Sequence, residues 1–291
     1  MSGTTITLRT LRAGLTGAFR RPRRPSTSGT AVLGLALLLP IVLGALIYPW
    51  LPLPGPTIPN PADAMQAPSL AHPFGTDRIG RDVFVRTLAG ARVSLLVGVT
   101  SALLAVTIGI VVGTIAGFSS RKVDGLLMGG NNILLSFPSL LLAIVMVAIF
   151  GAGVWQVILA ITIADAPQAV RMQRSMVLSL KTRPYMDAAR MSAAPTWCLL
   201  VRHVVPNTVA PMAVLASIYV AGAIVTESAL SFLGLGIVPP TPSWGNIMSD
   251  GRAYLREAWW ISTVPGIAIV LVAISFHLLS DWLQDRLRVT R

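Results

Sequence analysis

The sequence predicts an all-α integral membrane protein, on the basis of its composition and of its long uncharged tracts. Of 291 residues, 54% are hydrophobic and only 12% are charged, which is too apolar and too poor in charge for an ordinary soluble domain. A membrane-spanning helix needs about 20 apolar residues, because the hydrocarbon core is about 30 Å thick and each residue rises 1.5 Å. Several tracts reach that length, so we expect a polytopic protein.

Six crossings are predicted in order along the chain. The uncharged tract from residue 125 to residue 164 is too long for one pass, and we divide it at Gly151-Ala152-Gly153. The predicted transmembrane helices are 30–50, 93–118, 126–150, 154–176, 207–228 and 258–280, the last five lying in a core at 93–283. The predicted connections are an N-terminal segment 1–29, an extracytoplasmic segment 51–92, a cytoplasmic loop 178–207, an outer loop 234–257 and a tail 284–291.

The N-terminal segment is predicted to be a basic amphipathic helix on the membrane surface. Leu8, Leu11, Leu15 and Phe19 recur at helical spacing, and the arginines fall elsewhere. The apolar run that follows is too long for the central region of a signal peptide, so we interpret it as a retained helix.

The distribution of Lys and Arg sets the predicted orientation. With the N-terminus in the cytoplasm, 17 of the 23 basic residues fall on the cytoplasmic side. Both termini are therefore predicted to be cytoplasmic, and the net charge of +12 requires no nucleic-acid partner. The single Cys198 rules out an intrachain disulfide, and the three histidines show no ligand spacing, so no metal site is expected.

The cytoplasmic loop 178–207 is the most informative segment for function. It is too polar to span the membrane, yet residues 185–191 form a short helical core that is followed by Pro195. We interpret this loop as a docking element.

The loop resembles that of the permease subunits of ATP-binding-cassette (ABC) importers, which carry Glu-Ala-Ala, three residues, Gly and a distal hydrophobic-Pro pair. This chain has Asp187-Ala188-Ala189, Ala193 and Val205-Pro206 at the matching positions. Asp187 replaces the usual glutamate, and Ala193 replaces a glycine that allows a sharp turn. The resemblance implies a coupling helix that fits the ATPase subunit. The residues assigned to this coupling loop are Tyr185, Asp187, Ala188, Ala189, Ala193, Arg202, His203 and Pro206.

Three further segments, 72–98, 227–252 and 259–287, are similar to the C-type membrane subunit of dipeptide and oligopeptide importers. The resemblance implies the type I importer fold in a bacterial inner membrane. It also implies four kinds of partner: a homologous second permease, two ATPase subunits or one fused ATPase, an extracytoplasmic solute-binding protein and a peptide substrate.

The chain itself is not expected to be an enzyme. A phosphate-binding Walker loop needs Gly-Lys-Ser/Thr, and the two lysines, Lys122 and Lys181, follow Arg121 and Leu180 instead. ATP and Mg²⁺ are therefore expected on partner subunits, with no cofactor bound by this chain.

Two carboxylates at membrane depth, Asp165 and Glu227, are candidate residues of the translocation pathway, since buried charges tend to face a cavity or a partner. Alternatively, Glu227 bonds the turn that follows it, and Asp165 pairs with Arg171 or with the second permease. Gly109, Gly113 and Gly117 form a repeated small-xxx-small pattern, which predicts close helix packing. The prolines of the crossings, Pro138, Pro167 and Pro265, fit either a gated pathway or an inert bundle.

Other functions stay open at this stage. Closely similar permeases serve nickel complexes and glutathione. A proton-coupled secondary transporter would use Asp165 and Glu227 as titrating groups, but no inverted repeat is evident. An intramembrane enzyme would need a nucleophile-base pair or a carboxylate dyad, and none stands out.

Overall fold

A computed structural model describes residues 27–192 and 195–289 of the chain. The predicted surface helix up to residue 26 and the predicted turn residue Ala193 lie outside the described residues. The regular secondary structure of the described part is helical, apart from one isolated bridge between Thr76 and Asp82. Its helices are α1 (Thr27–Ile47), α2 (Val83–Phe118), α3 (Arg121–Leu135), α4 (Ser139–Phe150), α5 (Val154–Lys181), α6 (Pro184–Met191), α7 (Thr196–Leu199), α8 (Val205–Phe232), α9 (Trp244–Gly251) and α10 (Trp260–Val289).

The prediction of an all-helical membrane protein is confirmed. Within the described ranges, four helical stretches are long and apolar enough to cross a membrane: Gly29–Trp50, Val83–Phe118, Thr196–Phe232 and Trp260–Leu287. The pair α3 and α4 together makes a fifth. Helix α5 has the length of a span, but four charged residues between Asp165 and Lys181 make it less apolar than the others.

The third predicted crossing, 126–150, differs from the structure. It is a broken helix, in which α3 and α4 are bent by 93° relative to each other. Pro138 lies at the break, with φ of −55° and ψ of 133°, outside the helical region. A proline has no N–H and disfavours helical geometry in the residue before it, so the chain breaks here instead of kinking.

Helix α2 begins at Val83, ahead of the predicted start at residue 93. The Asp82 carboxylate accepts a hydrogen bond from the backbone N–H of Val85 (3.1 Å), which caps the helix and fixes its first turn. The i,i+4 ion pair Asp77–Arg81 lies in a turn, in which Gly80 has a φ of +79°.

A buried ion network holds the outer end of the bundle together. The side chain of Asp77 is 1% exposed, and its Oδ2 accepts hydrogen bonds from Arg81 Nε and Arg86 Nη1, both at 2.6 Å. Both arginines also donate to Asp250 Oδ2 at 3.0 Å. Because Asp250 belongs to α9, the network ties the beginning of α2 to the outer loop. A group buried in such a network is costly to unpair, by about 3–5 kcal/mol.

The predicted glycine pattern brings α2 against α5. A Cβ placed on Gly109 would lie 2.5 Å from the Cβ of Ala169, and one on Gly113 would lie 2.6 Å from the carbonyl oxygen of Val170. At Gly117 the nearest atom would be the Cβ of Val177, at 2.8 Å. The three glycines therefore permit backbone contact along the inner half of both helices.

We expect Gly113→Ala to destabilise the bundle by about 1–3 kcal/mol, because the new methyl group meets backbone that cannot move aside cheaply. Gly222→Ala on α8 is the matched control, since a Cβ there has no atom within 4 Å. Thermal unfolding of the detergent-solubilised chain checks the pair of variants. Equal melting temperatures for the two would contradict the packing described here.

Candidate functional site

Helix α6 is attached to the bundle through a small apolar cluster in which Met186 is fully buried. Met186 is 0% exposed and packs with Val177 of α5, Leu199 of α7 and Val204, which precedes α8. Ala189 lies three residues later and lines the same small cluster. Met186 is not among the residues that the sequence predicted for the coupling loop. Its spacing to Ala189, one helical turn within a polar loop, indicates a shared helical face that could have identified it.

The opposite face of α6 is open. Asp187 and Ala188 are exposed, Tyr185 is 42% exposed and Met191 is 88% exposed. On this helix of 8 residues, Asp187, Ala188 and Met191 lie on the side away from Met186, and Tyr185 lies at its flank. A short helix with a buried anchor and an open apolar face has the form of a docking element.

The remaining residues of the predicted coupling loop lie beside α6. The ring of His203 lies 6.2 Å from the ring of Tyr185. Arg202 and Pro206 are both exposed, and Pro206 lies in the first turn of α8, where its missing N–H costs nothing. The structure therefore brings the described members of the predicted set to one end of the bundle.

Two large apolar side chains that the sequence analysis did not select extend this surface. Trp197 on α7 is 68% exposed, and Val201 is 63% exposed. Both follow Pro195 at the start of the helical stretch Thr196–Phe232, at the same end of the bundle as α6.

Polar contacts tie this end of the bundle to the spans. Arg174 of α5 makes a two-pronged pair with Asp124 of α3, at 2.5 and 2.6 Å. The Lys181 ammonium donates to the carbonyl oxygen of Gly117 (3.0 Å) and lies 5.2 Å from the centre of the Phe118 ring. The ends of α2, α3 and α5 are thus held together directly before α6 begins.

Glu227 lies in a closed hydroxyl cluster. It is 0% exposed, and its carboxylate accepts hydrogen bonds from Ser94 of α2 (2.9 Å) and Ser231 (2.8 Å). Ser94 Oγ in turn accepts from the backbone N–H of Trp244, and Ser231 Oγ accepts from that of Ile237. Glu227 therefore joins α2, α8 and the outer loop, with no face open to a pathway in this structure.

Asp165 and Arg171 of α5 do not pair with each other. Among the described residues no cation lies within ion-pair distance of Asp165, which is half-buried. Arg171 is exposed and donates through Nη2 to Oδ1 of Asn132 on α3, at 3.2 Å. Within the same described ranges, no group of three His, Cys, Asp or Glu side chains could hold a metal ion.

The long apolar helices define a polytopic membrane protein, with the attached helix α6 at one end of the bundle. The sequence model of the binding-protein-dependent transport system inner membrane component family matches residues 109–289. The chain belongs to this family. It is the membrane permease component of an ABC importer, and the ATPase is a different subunit.

Relatives and a solved structure agree with this assignment. The chain is 38% identical over 260 residues to the di/tripeptide transport system permease protein DppC of Pseudomonas aeruginosa, covering 87% of this chain and 86% of that protein. It is 42% identical over 253 residues to a Brucella suis protein named as a candidate peptide transport system permease, covering 87% and 85%. The fold is similar to a chain of the inward-facing MetNI methionine ABC transporter, with a TM-score of 0.57 and 17% identity over 66% of this chain and 91% of that one.

Two substitutions distinguish a structural role of Glu227 from a direct role of its charge in transport. Glu227→Ala removes the acceptor of two buried hydroxyls, and we expect a loss of stability of about 2–4 kcal/mol. Glu227→Gln keeps the volume and one acceptor oxygen, and the serine hydroxyls can rotate to meet the amide, so stability and transport should stay near those of the parent. Full loss of transport by a stably folded Glu227→Gln protein would instead assign the charge a direct role.

Proposed function

We propose that this chain forms half of the translocation pathway of a peptide importer. Its partners in this proposal are a homologous second permease, two ATPase subunits or one fused ATPase, and an extracytoplasmic solute-binding protein. The peptide substrate is supported by the names of the relatives at 38–42% identity. The main support for the docking of an ATPase is the form of α6, which is anchored by Met186 and exposed on its other side.

The proposed topology has six crossings with both termini in the cytoplasm. The distribution of Lys and Arg supports this orientation. In this orientation α6 lies on the cytoplasmic side. In this topology α5 crosses despite its charges, since its polar side chains face protein or a cavity. The ion network at Asp77 then lies outside, where the solute-binding protein would approach.

The coupling step follows from what α6 touches. Met186 contacts Val177 at the cytoplasmic end of α5 and Val204 directly before α8. A displacement of α6 by a closing ATPase pair would therefore press on two spanning helices through a packed cluster. Packed clusters resist compression, so the displacement passes to the helices. Two states of the ATPase pair would thus bias two arrangements of the pathway.

The docking face is tested by Met191→Asp. Met191 is 88% exposed, so the substitution should leave folding unchanged while placing a charge in an apolar interface. We expect at least a tenfold loss of co-purifying ATPase in mild detergent and a matching loss of uptake.

Leu255→Asp is the matched control, because Leu255 is 51% exposed on the proposed outer side. It should leave ATPase co-purification intact. Retention of the ATPase by the Met191→Asp protein would overturn the proposed docking face. A parent protein that never co-purifies with an ATPase would overturn the proposed assembly.

A further inference from the structure

The inner half of α5 carries exposed polar side chains. Gln168 and Arg171 lie one turn apart on α5 and are both exposed, and Asn132 of α3 is exposed beside them. Arg171 is 17 residues from the start of α5 at Val154, or about 26 Å along the helix. It lies one turn nearer the outer side than Arg174, which pairs with Asp124.

Arg171 carries an unneutralised charge. Its guanidinium has five N–H donors, and the described contact is a single hydrogen bond of 3.2 Å to the amide oxygen of Asn132. Among residues 27–192 and 195–289, no carboxylate lies within ion-pair distance of it. A bare charge in hydrocarbon is costly, so in the proposed topology the guanidinium reaches water at the inner interface, a water-filled cavity or a second chain.

The neighbouring contacts place Asn132 of α3 beside Arg171. Asn131 is 8% exposed and donates through Nδ2 to the carbonyl oxygen of Pro167, at 3.1 Å. That bond sets the register of α3 on α5, and the next residue, Asn132, then meets Arg171. The guanidinium therefore has a defined neighbour and N–H donors to spare, as a residue that binds a ligand needs.

We propose that Arg171, held by Asn132, binds the α-carboxylate of the peptide as it passes along the inner half of the pathway. A guanidinium presents a planar fork that matches a carboxylate with two parallel hydrogen bonds. A peptide at neutral pH carries that carboxylate whatever its side chains, so the contact is independent of sequence. This inference rests on the proposed function and adds a substrate-contacting residue to it.

The test compares a dipeptide with its C-terminal amide in proteoliposomes that contain the whole complex and its binding protein. Both probes are used at concentrations that saturate the binding protein, which is checked by direct titration. Arg171→Gln should lower uptake of the free dipeptide by about tenfold or more and leave uptake of the amide within about twofold of the parent value. Arg171→Lys keeps the charge but lacks the planar guanidinium. Its uptake of the free dipeptide should therefore fall between that of the parent and that of Arg171→Gln.

Arg174→Gln is the matched control, since it removes an arginine one turn away whose partner is Asp124. It should change uptake of both probes alike. An equal loss of both probes in Arg171→Gln would overturn the proposal and assign Arg171 to a carboxylate of the second permease, and unchanged uptake of both would overturn it outright. Loss of the co-purifying ATPase in the parent complex would be a failure of the proposed function and not of this site.

A second measurement covers the case in which the binding protein does not load the amide. Cys198 is the single cysteine of the chain, so Cys198→Ser with Gln168→Cys gives one reporter thiol beside Arg171. The dipeptide should slow labelling by a thiol reagent more than its amide does, and Arg171→Gln should remove that difference. Equal protection by both probes with Arg171 present would contradict a carboxylate contact.

Discussion

The close approach of α2 and α5 is the contact on which the rest of the structure depends. Three glycines spaced four residues apart let the backbones touch at Ala169, Val170 and Val177. In a membrane there is little hydrophobic force between helices, so such packing depends on backbone proximity and on buried hydrogen bonds. Gln173 supplies those bonds, donating from 0% exposure to Thr114 of α2 (2.8 Å) and Thr208 of α8 (3.0 Å).

This contact fixes the position of both functional ends. At the cytoplasmic end it holds Val177 where Met186 can pack, so α6 is attached to the same helix pair. At the outer end, α2 continues beyond the proposed hydrocarbon region to the ion network of Asp77 and Asp250. The bundle therefore connects α6 at one end to the ion network at the other end through continuous helices.

The candidate pathway residues separate by their surroundings. Glu227 is enclosed by hydroxyl donors and joins three elements, which favours the structural role that its sequence position also allowed. Asp165 has no described ion-pair partner, and Arg171 has one amide contact, so each retains capacity for a ligand or a second chain.

The sequence by itself determined the membrane class and most of the spanning helices, and it predicted a close helix contact at the glycines of α2 and a coupling loop at residues 178–207. These features follow from local sequence patterns: the length of uncharged tracts, the spacing of glycines and a polar loop that contains prolines. The predicted turn residue Ala193 and the N-terminal surface helix remain predictions, since they lie outside the described residues.

Only the tertiary structure decided which side of each element faces its neighbours. The break at Pro138, the role of Met186 as an anchor, the enclosure of Glu227 and the contact of Arg171 with Asn132 all depend on residues far apart in the chain. Sequence spacing places a residue on a helical face, but the helix that covers that face is chosen by packing of the whole bundle. For this reason the sequence alone could not decide between a structural role and a pathway role for Glu227.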